Sequence, residues 1–136
     1  TYAYDADAGT VTASYGTAKA KAIADTLWTA QDETDGKGTE GEVATIGLKT
    51  IKKEIIDIQC AGILAPSDWR VIKEQETGDA MDSGWKTWRG NVRKKCNAMQ
   101  TLIGNAANVD ALAALFTYTE QEDKSVTRPL GEFPEK

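Results

Sequence analysis

The side chains best suited to chemistry lie in one stretch that begins at position 64, LAPSDWRVIKEQETGDAMDSGWKTWRGNVRKKC. It contains three of the four tryptophans of the chain. Asp68 with Glu74 or Glu76 is a candidate carboxylate pair, and Arg89 and Arg93 follow four residues apart, about one turn of a helix. These residues offer two chemistries: acid–base catalysis by the carboxylates, or ion pairing between the carboxylates and the guanidinium groups.

Catalysis is the weaker interpretation. The chain has no histidine, which removes the commonest general base and the commonest metal ligand. Its two cysteines complete a four-ligand zinc site only if carboxylates or a second subunit contribute. No serine has an activating partner, no glycine pair opens a nucleotide-binding helix, and acids on short helices are usually caps or surface ion pairs. The sequence therefore predicts a protein that is not an enzyme and needs no metal and no cofactor.

Ion pairing gives the same residues a structural role. Asp68 can accept from backbone amides at the start of its helix, or from an arginine. The two arginines rise from one side of a helix, and a guanidinium can also stack on a tryptophan. We expect either a clasp that joins a short helix to a long one or an interface with another subunit, formed by Asp68, Trp69, Glu76, Trp85, Trp88, Arg89 and Arg93.

The elements that must position this cluster are predicted from apolar periodicity. Alternation predicts a β-hairpin over residues 1–16, with its turn at Asp7–Gly9. The patterns that follow predict, in order, an alanine-rich helix over 17–31, an acidic loop or hinge over 32–42, and helices over 43–64, 67–77, 82–103 and 109–116. The prolines near the end predict an extended arm.

The sequence therefore predicts a mainly α fold, in which an N-terminal β-hairpin is followed by a small antiparallel helical bundle with an extended C-terminal arm. We divide the chain into an N-terminal arm of hairpin, helix and hinge (1–42), a helical body with the Trp–Arg cluster (43–120) and a C-terminal arm (121–136). Ser67 is the predicted N-cap and Gly78 the stop of the short helix. Asp82 and Asn108 precede the two helices that follow.

One predicted helix carries a stripe that is typical of a coiled-coil seam. Its large apolar residues repeat at alternating spacings of three and four: Leu48, Ile51, Ile55 and Ile58. Ile56 and Ile63 widen the apolar face, which suits a bundle or a trimer better than a two-stranded seam. A homo-oligomer, with a trimer favoured, is one interpretation. Packing on helices of the same chain explains the pattern equally well.

Charge and composition limit the partners. The formal net charge is -5, so attraction to nucleic acid or to an anionic membrane is not expected. The longest apolar run is far short of a bilayer span. No leader opens the chain, and Thr1 is small enough to follow a removed initiator methionine, so we expect a complete chain. Cys60 and Cys96 fall on apolar sides of helical patterns, which predicts buried free thiols in a protein made in a reducing cytosol.

Between positions 64 and 99 the chain carries three motifs in succession: Ser67–Asp68–Trp69, Glu76–Thr77–Gly78, and Trp88–Arg89 with Val92 and Arg93. This order resembles small proteins of the tail and tail-fibre module of tailed bacteriophages, which often have tyrosine where this chain has Trp88. The resemblance implies a structural protein of the virion, made in the host cytoplasm, that binds other phage structural proteins at the tail, baseplate or fibre. It is equally consistent with a tail fibre assembly chaperone. A capsid decoration or head-completion protein that uses the hairpin to extend a neighbour's sheet is a third alternative.

Overall fold

The computed structural model describes residues 2–5, 7–13 and 20–136. The predicted fold class is confirmed: the chain is mainly helical, with an N-terminal hairpin and a small bundle. The described elements, in chain order, are β1 (Tyr2–Asp5), β2 (Thr10–Ala13), β3 (Thr26–Leu27), α1 (Ala30–Thr34), β4 (Val43–Thr45), α2 (Leu48–Leu64), α3 (Asp68–Thr77), α4 (Ser83–Asn105), α5 (Val109–Phe116), β5 (Thr119–Glu120) and β6 (Val126–Thr127). One turn of 3₁₀ helix, Ala65–Ser67, joins α2 to α3.

Helices α2 and α4 form the body by packing antiparallel to each other. At one end the Lys49 ammonium donates to the Gly104 carbonyl at 2.8 Å, and at the other Arg89 donates to the Leu64 carbonyl at 3.0 Å. The buried hydrophobic core consists of Ile56, Cys60, Leu64, Val92, Cys96, Met99, Ile103, Ala106, Leu112 and Leu130. From Val92 onward, the buried positions of α4 are the apolar face that its sequence predicts.

Polar residues and one glycine set three helix boundaries at the places that the sequence predicts. The Asp82 carboxylate accepts from two amides of the first turn of α4, at 3.0 and 3.2 Å. The Asn108 side chain accepts from the Ala111 amide at 2.8 Å and starts α5. Gly78 ends α3 with a φ of 77°, a conformation that favours glycine. The predicted starts of α4 and α5 and the predicted end of α3 are confirmed.

The N-terminal hairpin is confirmed over the residues that are described. Strand β1 pairs antiparallel with β2, from Tyr2 opposite Ala13 to Asp5 opposite Thr10, around the predicted turn. These two strands form a sheet of their own among the described strands. Residues 14–16 of the predicted hairpin lie outside the described part of the chain.

The helix predicted over 17–31 is wrong: in the described part of this stretch, only the last two positions are helical. Strand β3 occupies part of this stretch and pairs with β4, and α1 begins only near its end. The Asp25 carboxylate accepts from the Gly47 amide at 2.6 Å and from the Thr50 hydroxyl at 3.0 Å, which ties the stretch to the start of α2. Tertiary contacts of this kind routinely override the weak helical propensity of alanine. Positions 17–19 lie outside the described residues.

Helix α2 begins at Leu48 rather than at the predicted position 43. Val43–Thr45 form β4 instead. The amides of Leu48 and Lys49 donate to the carbonyls of Ala22 and Ile23, each at 3.0 Å. The first turn of a helix has amides without partners inside the helix, and here the preceding segment supplies acceptors for two of them.

The acidic segment predicted as a loop or hinge over 32–42 belongs to a closed loop between β3 and β4, so the structure agrees with the first of the two alternatives. The Trp28 amide donates to the Glu42 carbonyl at 2.9 Å, and the Gly41 amide donates to the Trp28 carbonyl at 3.0 Å. These two bonds join the ends of the β3–β4 loop. The Trp28 indole lies against Gly38 so closely that any Cβ at this position would clash with the ring. This close approach requires glycine.

One capping box and one lysine stabilise the interior of the β3–β4 loop. The side chains of Thr29 and Asp32 each accept a hydrogen bond from the other residue's backbone amide at the start of α1. The Lys37 ammonium lies 3.1 Å from the carboxylates of both Asp32 and Asp35. Hydrogen bonds from the Thr29 hydroxyl and amide, followed by those from Lys37, lower the pKa of Asp32 to about 2. The loop is therefore ordered by its own charged residues.

The C-terminal residues lie along the body rather than projecting as an arm. The short hairpin β5–β6 has no counterpart in the sequence prediction. Residues 128–136, here named the C-terminal segment, follow it. Leu130 is fully buried, and its amide donates to the Leu115 carbonyl at 3.0 Å. The Trp88 indole N–H donates to the Pro134 carbonyl at 3.0 Å. The segment therefore closes one side of the core.

Candidate functional site

The Trp–Arg cluster is organised around one buried guanidinium group. The side chain of Arg89 is only 5% exposed. It donates to the Leu64 carbonyl at 3.0 Å, to the Ser67 hydroxyl, and to the Asp68 carboxylate at 2.6 Å. We name this arrangement the Arg89 clasp. It holds the end of α2, the 3₁₀ turn and the first residue of α3 against α4.

Ser67 belongs to the clasp and does not act as the predicted side-chain cap of α3. Its hydroxyl donates to the Leu64 carbonyl at 2.7 Å and accepts from Arg89, and it makes no capping bond. A cap requires extended backbone, whereas Ser67 has φ −108° and ψ 0° because it continues the 3₁₀ turn. The sequence gives no direct sign of this role, since Ser–Asp before an apolar run is typical of a helix start.

The ion pair of the clasp is unequally buried. The Asp68 side chain is 55% exposed, although its partner Arg89 is almost completely enclosed. Solvent therefore screens the attraction between the two charges, and exposed pairs of this kind contribute little to stability. The Leu64 carbonyl and the Ser67 hydroxyl are the acceptors that a buried guanidinium needs. Their hydrogen bonds account for most of the stability that the clasp contributes.

Arg93 and Glu76 lie outside the clasp, so the clasp alternative of the prediction does not hold for these two residues. Both are exposed, and neither forms an ion pair with any residue that the structure describes. A step of four residues rotates a helical position by about 40°, which takes Arg93 past the edge of the buried face of α4. The second ion pair between α3 and α4 joins Lys86 to Glu74 at 3.6 Å.

The tryptophans stack with cations, but the arginine involved is Arg70 rather than Arg89 or Arg93. The guanidinium carbon of Arg70 lies 4.5 Å from the ring centre of Trp69 and 4.3 Å from that of Trp85. The ammonium nitrogen of Lys136 lies 4.5 Å from the ring centre of Trp85. Trp85 and Trp88 meet edge to face, with ring centres 5.5 Å apart. This aromatic ladder joins α3, α4 and the end of the C-terminal segment.

The predicted seam of α2 is divided between the core and solvent. The inward-facing positions of this helix are Ile56, Cys60 and Leu64. Ile55 is 38% exposed and Ile58 is 65% exposed. Of the four seam residues Leu48, Ile51, Ile55 and Ile58, the structure packs Leu48 against the core and leaves Ile51 half-buried. The second half of the stripe, Ile55 and Ile58, is thus left facing solvent by the described part of the chain.

Both cysteines are buried free thiols, as predicted. Burial, followed by the nearby Cys60 and then Asp57, raises the pKa of Cys96 to about 12. The thiolate is the reactive form of cysteine, so the Cys96 sulfur is held in its unreactive form at neutral pH. These cysteines act as small core residues.

Residues 2–5, 7–13 and 20–136, which the structure describes, contain neither a metal-binding cluster nor a membrane-spanning helix. Within that part of the chain, no three histidine, cysteine or acidic side chains come close enough together to hold a metal ion. No helix among the described elements combines the length and apolar character that a bilayer crossing requires.

Comparison of the chain with protein-family models, with curated proteins and with solved structures gives no significant match. The interpretation of the site therefore depends on its own geometry. This geometry consists of a buried clasp, a ladder of tryptophans and cations, and apolar side chains that face solvent.

Proposed function

We propose that this chain is a non-enzymatic structural protein of a bacteriophage particle, associated with the tail, baseplate or fibre and acting through protein–protein contacts. The order of the motifs around Asp68–Trp69 and Trp88–Arg89 resembles proteins of that module and supports the assignment to a phage. The argument for protein–protein contact comes from the distribution of apolar surface.

The observation that carries the proposal is the amount of large apolar surface left outside a small core. Among the residues whose burial the structure describes, twelve large apolar side chains are exposed, whereas the buried core has ten members, of which one is alanine and two are cysteine. Single exposed apolar residues are ordinary on soluble proteins, whereas exposed apolar residues that lie next to each other mark an interaction surface. Ile55 and Ile58 lie on one face of α2, and Trp69 and Ile72, both 54% exposed, lie three residues apart on α3.

Two apolar faces on adjacent helices fit a subunit whose burial is completed by its neighbours. The face of α3 pairs a tryptophan with an isoleucine, and tryptophan is among the residues that most often dominate interface energies. The stripe of α2 has the spacing of a coiled-coil seam, against which the same helix of a second copy can pack. This spacing supports self-association through α2, with a trimer as the favoured state. Neighbouring phage proteins would then meet α3.

Mass spectrometry of purified mature particles tests the proposed location. We expect the chain to be present at a fixed ratio to the other structural proteins. Complete absence from mature particles would refute the proposal. Presence only in immature particles, together with improved solubility of a co-expressed fibre protein, would identify a tail fibre assembly chaperone instead.

A pair of substitutions tests the proposed mode of action. Ile55→Asp with Ile58→Asp should prevent incorporation or self-association, because it places charges on the exposed stripe. Its effect on unfolding should be small, since substitutions of exposed residues usually change the free energy of unfolding by less than about 0.5 kcal/mol. Asn97→Asp, at an exposed position on α4, is the control for an added surface charge and should incorporate normally. Equal incorporation of both variants would exclude the α2 stripe as a contact.

A further inference from the structure

We infer that Arg70 is a recognition residue: its guanidinium binds the carboxylate of an acidic side chain in a peptide segment of a partner protein. Apolar residues of the same segment pack on Trp69 and Ile72 beside it. This inference deepens the proposed function and rests on it in taking the exposed face of α3 as a contact surface. It adds the chemistry that the partner must present there.

Two aromatic rings hold Arg70 in place. Its guanidinium carbon lies 4.5 Å from the ring centre of Trp69 and 4.3 Å from that of Trp85, and both distances are below the limit of about 6 Å for a cation–π contact. Trp69 belongs to α3 and Trp85 to α4, so the guanidinium bridges the two helices. A side chain that is already fixed by its surroundings loses less freedom when it binds a ligand.

The hydrogen-bonding edge of this guanidinium is free among the residues that the structure describes. The arginines of the chain are Arg70, Arg89, Arg93 and Arg128. Arg89 and Arg128 donate to described acceptors, whereas the Arg70 side chain forms neither a hydrogen bond nor an ion pair with any described residue. Because no buried side-chain nitrogen in this part of the chain lacks a partner, the donors of Arg70 reach solvent. The rings therefore fix the guanidinium and leave its N–H donors available.

A cleft of about 170 Å³ opens beside Arg70, between α3 and the residues that lead into α4. Pockets that hold a whole small-molecule ligand usually have volumes of about 300–1,000 Å³. The cleft therefore has room for one side chain rather than for a metabolite or a cofactor. Trp69 lines it, and Ile72 lies three residues further along the same helix; both are 54% exposed. A segment that places one polar side chain in the cleft can cover these apolar side chains with its neighbouring residues.

The charges around the cleft favour a carboxylate as the group that binds. Two acids line the cleft and already have partners: the Asp82 carboxylate accepts from the first-turn amides of α4, and Asp79 pairs with Lys73 at 3.5 Å. Arg70 is the other cation among the lining residues, and one carboxylate matches both its charge and its planar pair of donors. A phosphate group carries a charge of about −1.5 to −2, and the two nearby acids would repel it more strongly.

Selection from a library of short random peptides tests the inference on the full-length chain. The chain is immobilised, unphosphorylated peptides are offered to it, and those that bind are sequenced. We expect enrichment of peptides in which Asp or Glu stands within a few positions of a large apolar residue. Enrichment of basic or purely apolar peptides would overturn the inference, and so would the absence of any enrichment.

Fluorescence anisotropy of one selected peptide then measures the contribution of Arg70. Arg70→Gln should weaken binding about tenfold or more, because a charge-assisted pair of hydrogen bonds is lost. Arg70→Lys should recover only part of the affinity, since an ammonium keeps the charge but lacks the planar fork. Arg93→Gln, at an exposed arginine of α4 outside the aromatic ladder, is the matched control and should bind like the unsubstituted chain. Circular dichroism checks that each variant is folded.

A change in the peptide shows whether its carboxylate meets Arg70. Replacing the acidic residue of the peptide by its amide should weaken binding to the unsubstituted chain about tenfold and should have no further effect on Arg70→Gln. Two losses that multiply would show that the carboxylate binds elsewhere, which would overturn the inference. Tighter binding of a peptide with phosphoserine at the acidic position would overturn the choice of a carboxylate. The peptide change leaves the protein intact, so it tests the carboxylate even if Arg70→Gln fails to fold.

The proposed function and this inference fail in different ways. Acid-specific peptide binding through Arg70 by a chain that is absent from mature particles would refute the phage role and leave the recognition site standing. Normal incorporation of the chain into particles, together with no acid-specific peptide binding, would refute the recognition site and leave the phage role standing.

Discussion

Replacing Arg89 by alanine should destabilise the fold far more than replacing its charged partner. The substitution removes three hydrogen bonds and leaves the Ser67 hydroxyl and the Leu64 carbonyl without their charged donor inside the protein. A buried polar group left without a partner costs about 1–3 kcal/mol. Because Ser67 still donates to Leu64 at 2.7 Å, the lower end of that range applies to each group. With the lost packing of the buried side chain, the expected total is about 2–4 kcal/mol.

The partner substitution, Asp68→Asn, should cost less than about 1 kcal/mol, because the Asp68 carboxylate is more than half exposed and solvent screens the pair. Arg89→Lys should recover only part of the loss, since one ammonium cannot reach acceptors that a planar guanidinium spans. Arg93→Ala, at an exposed arginine of the same helix, is the matched control and should leave stability unchanged.

Urea denaturation followed by circular dichroism measures these differences directly. At this chain length, the Arg89→Ala loss corresponds to a fall of about 10 °C in the melting temperature. If Arg89→Ala melts like Arg93→Ala, or if Asp68→Asn costs as much as Arg89→Ala, the assignment of the clasp to buried neutral acceptors is wrong.

Three further outcomes follow from other parts of the fold. Neither cysteine should react with a thiol reagent at pH 8 until denaturant is added, since both are buried and the pKa of Cys96 is raised to about 12; labelling of the native chain would contradict this. Gly62→Ala, in an open position of α2, should raise the free energy of unfolding by about 0.5–1 kcal/mol, whereas Gly38→Ala should lower it by about 1–3 kcal/mol because the new Cβ meets the Trp28 ring; chemical denaturation distinguishes the two signs. The pKa of Asp32 is lowered to about 2, so its contribution to stability is present above the ordinary value of 3.8 and is lost as the pH falls from there towards 2. The indole resonance of Trp28 should shift over that window, and Asp32→Asn should abolish the shift.

The sequence predicts the helices of the body well because their apolar faces coincide with local start and stop residues. Asp82, Asn108 and Gly78 act through atoms within a few positions of themselves, so a local pattern contains the whole cause. The apolar stripe of α4 is likewise a local property of its sequence. Where pattern and boundary residues agree, the predicted and observed elements agree.

The errors fall where the deciding partner is far away in the chain. Asp25 is bonded to Gly47 and Thr50, and the alanine-rich sequence around it gives no sign of those acceptances. The buried donor of the clasp is Arg89 and not Arg93, a choice that depends on which edge of α4 meets the 3₁₀ turn. The role of Arg70 between two tryptophans depends on the packing of α3 on α4. Local propensity cannot contain such information.

The closed β3–β4 loop should tolerate the insertion of extra residues. Its two ends are joined by hydrogen bonds between Trp28 and residues 41 and 42, so the body does not depend on how many residues lie between them. Lengthening a flexible loop whose ends are already held together costs only about 0.6 kcal/mol for each doubling of its length. A peptide tag or a small domain inserted near Gly36 would therefore leave the helical body folded, and would mark the chain inside a large assembly without touching either apolar face.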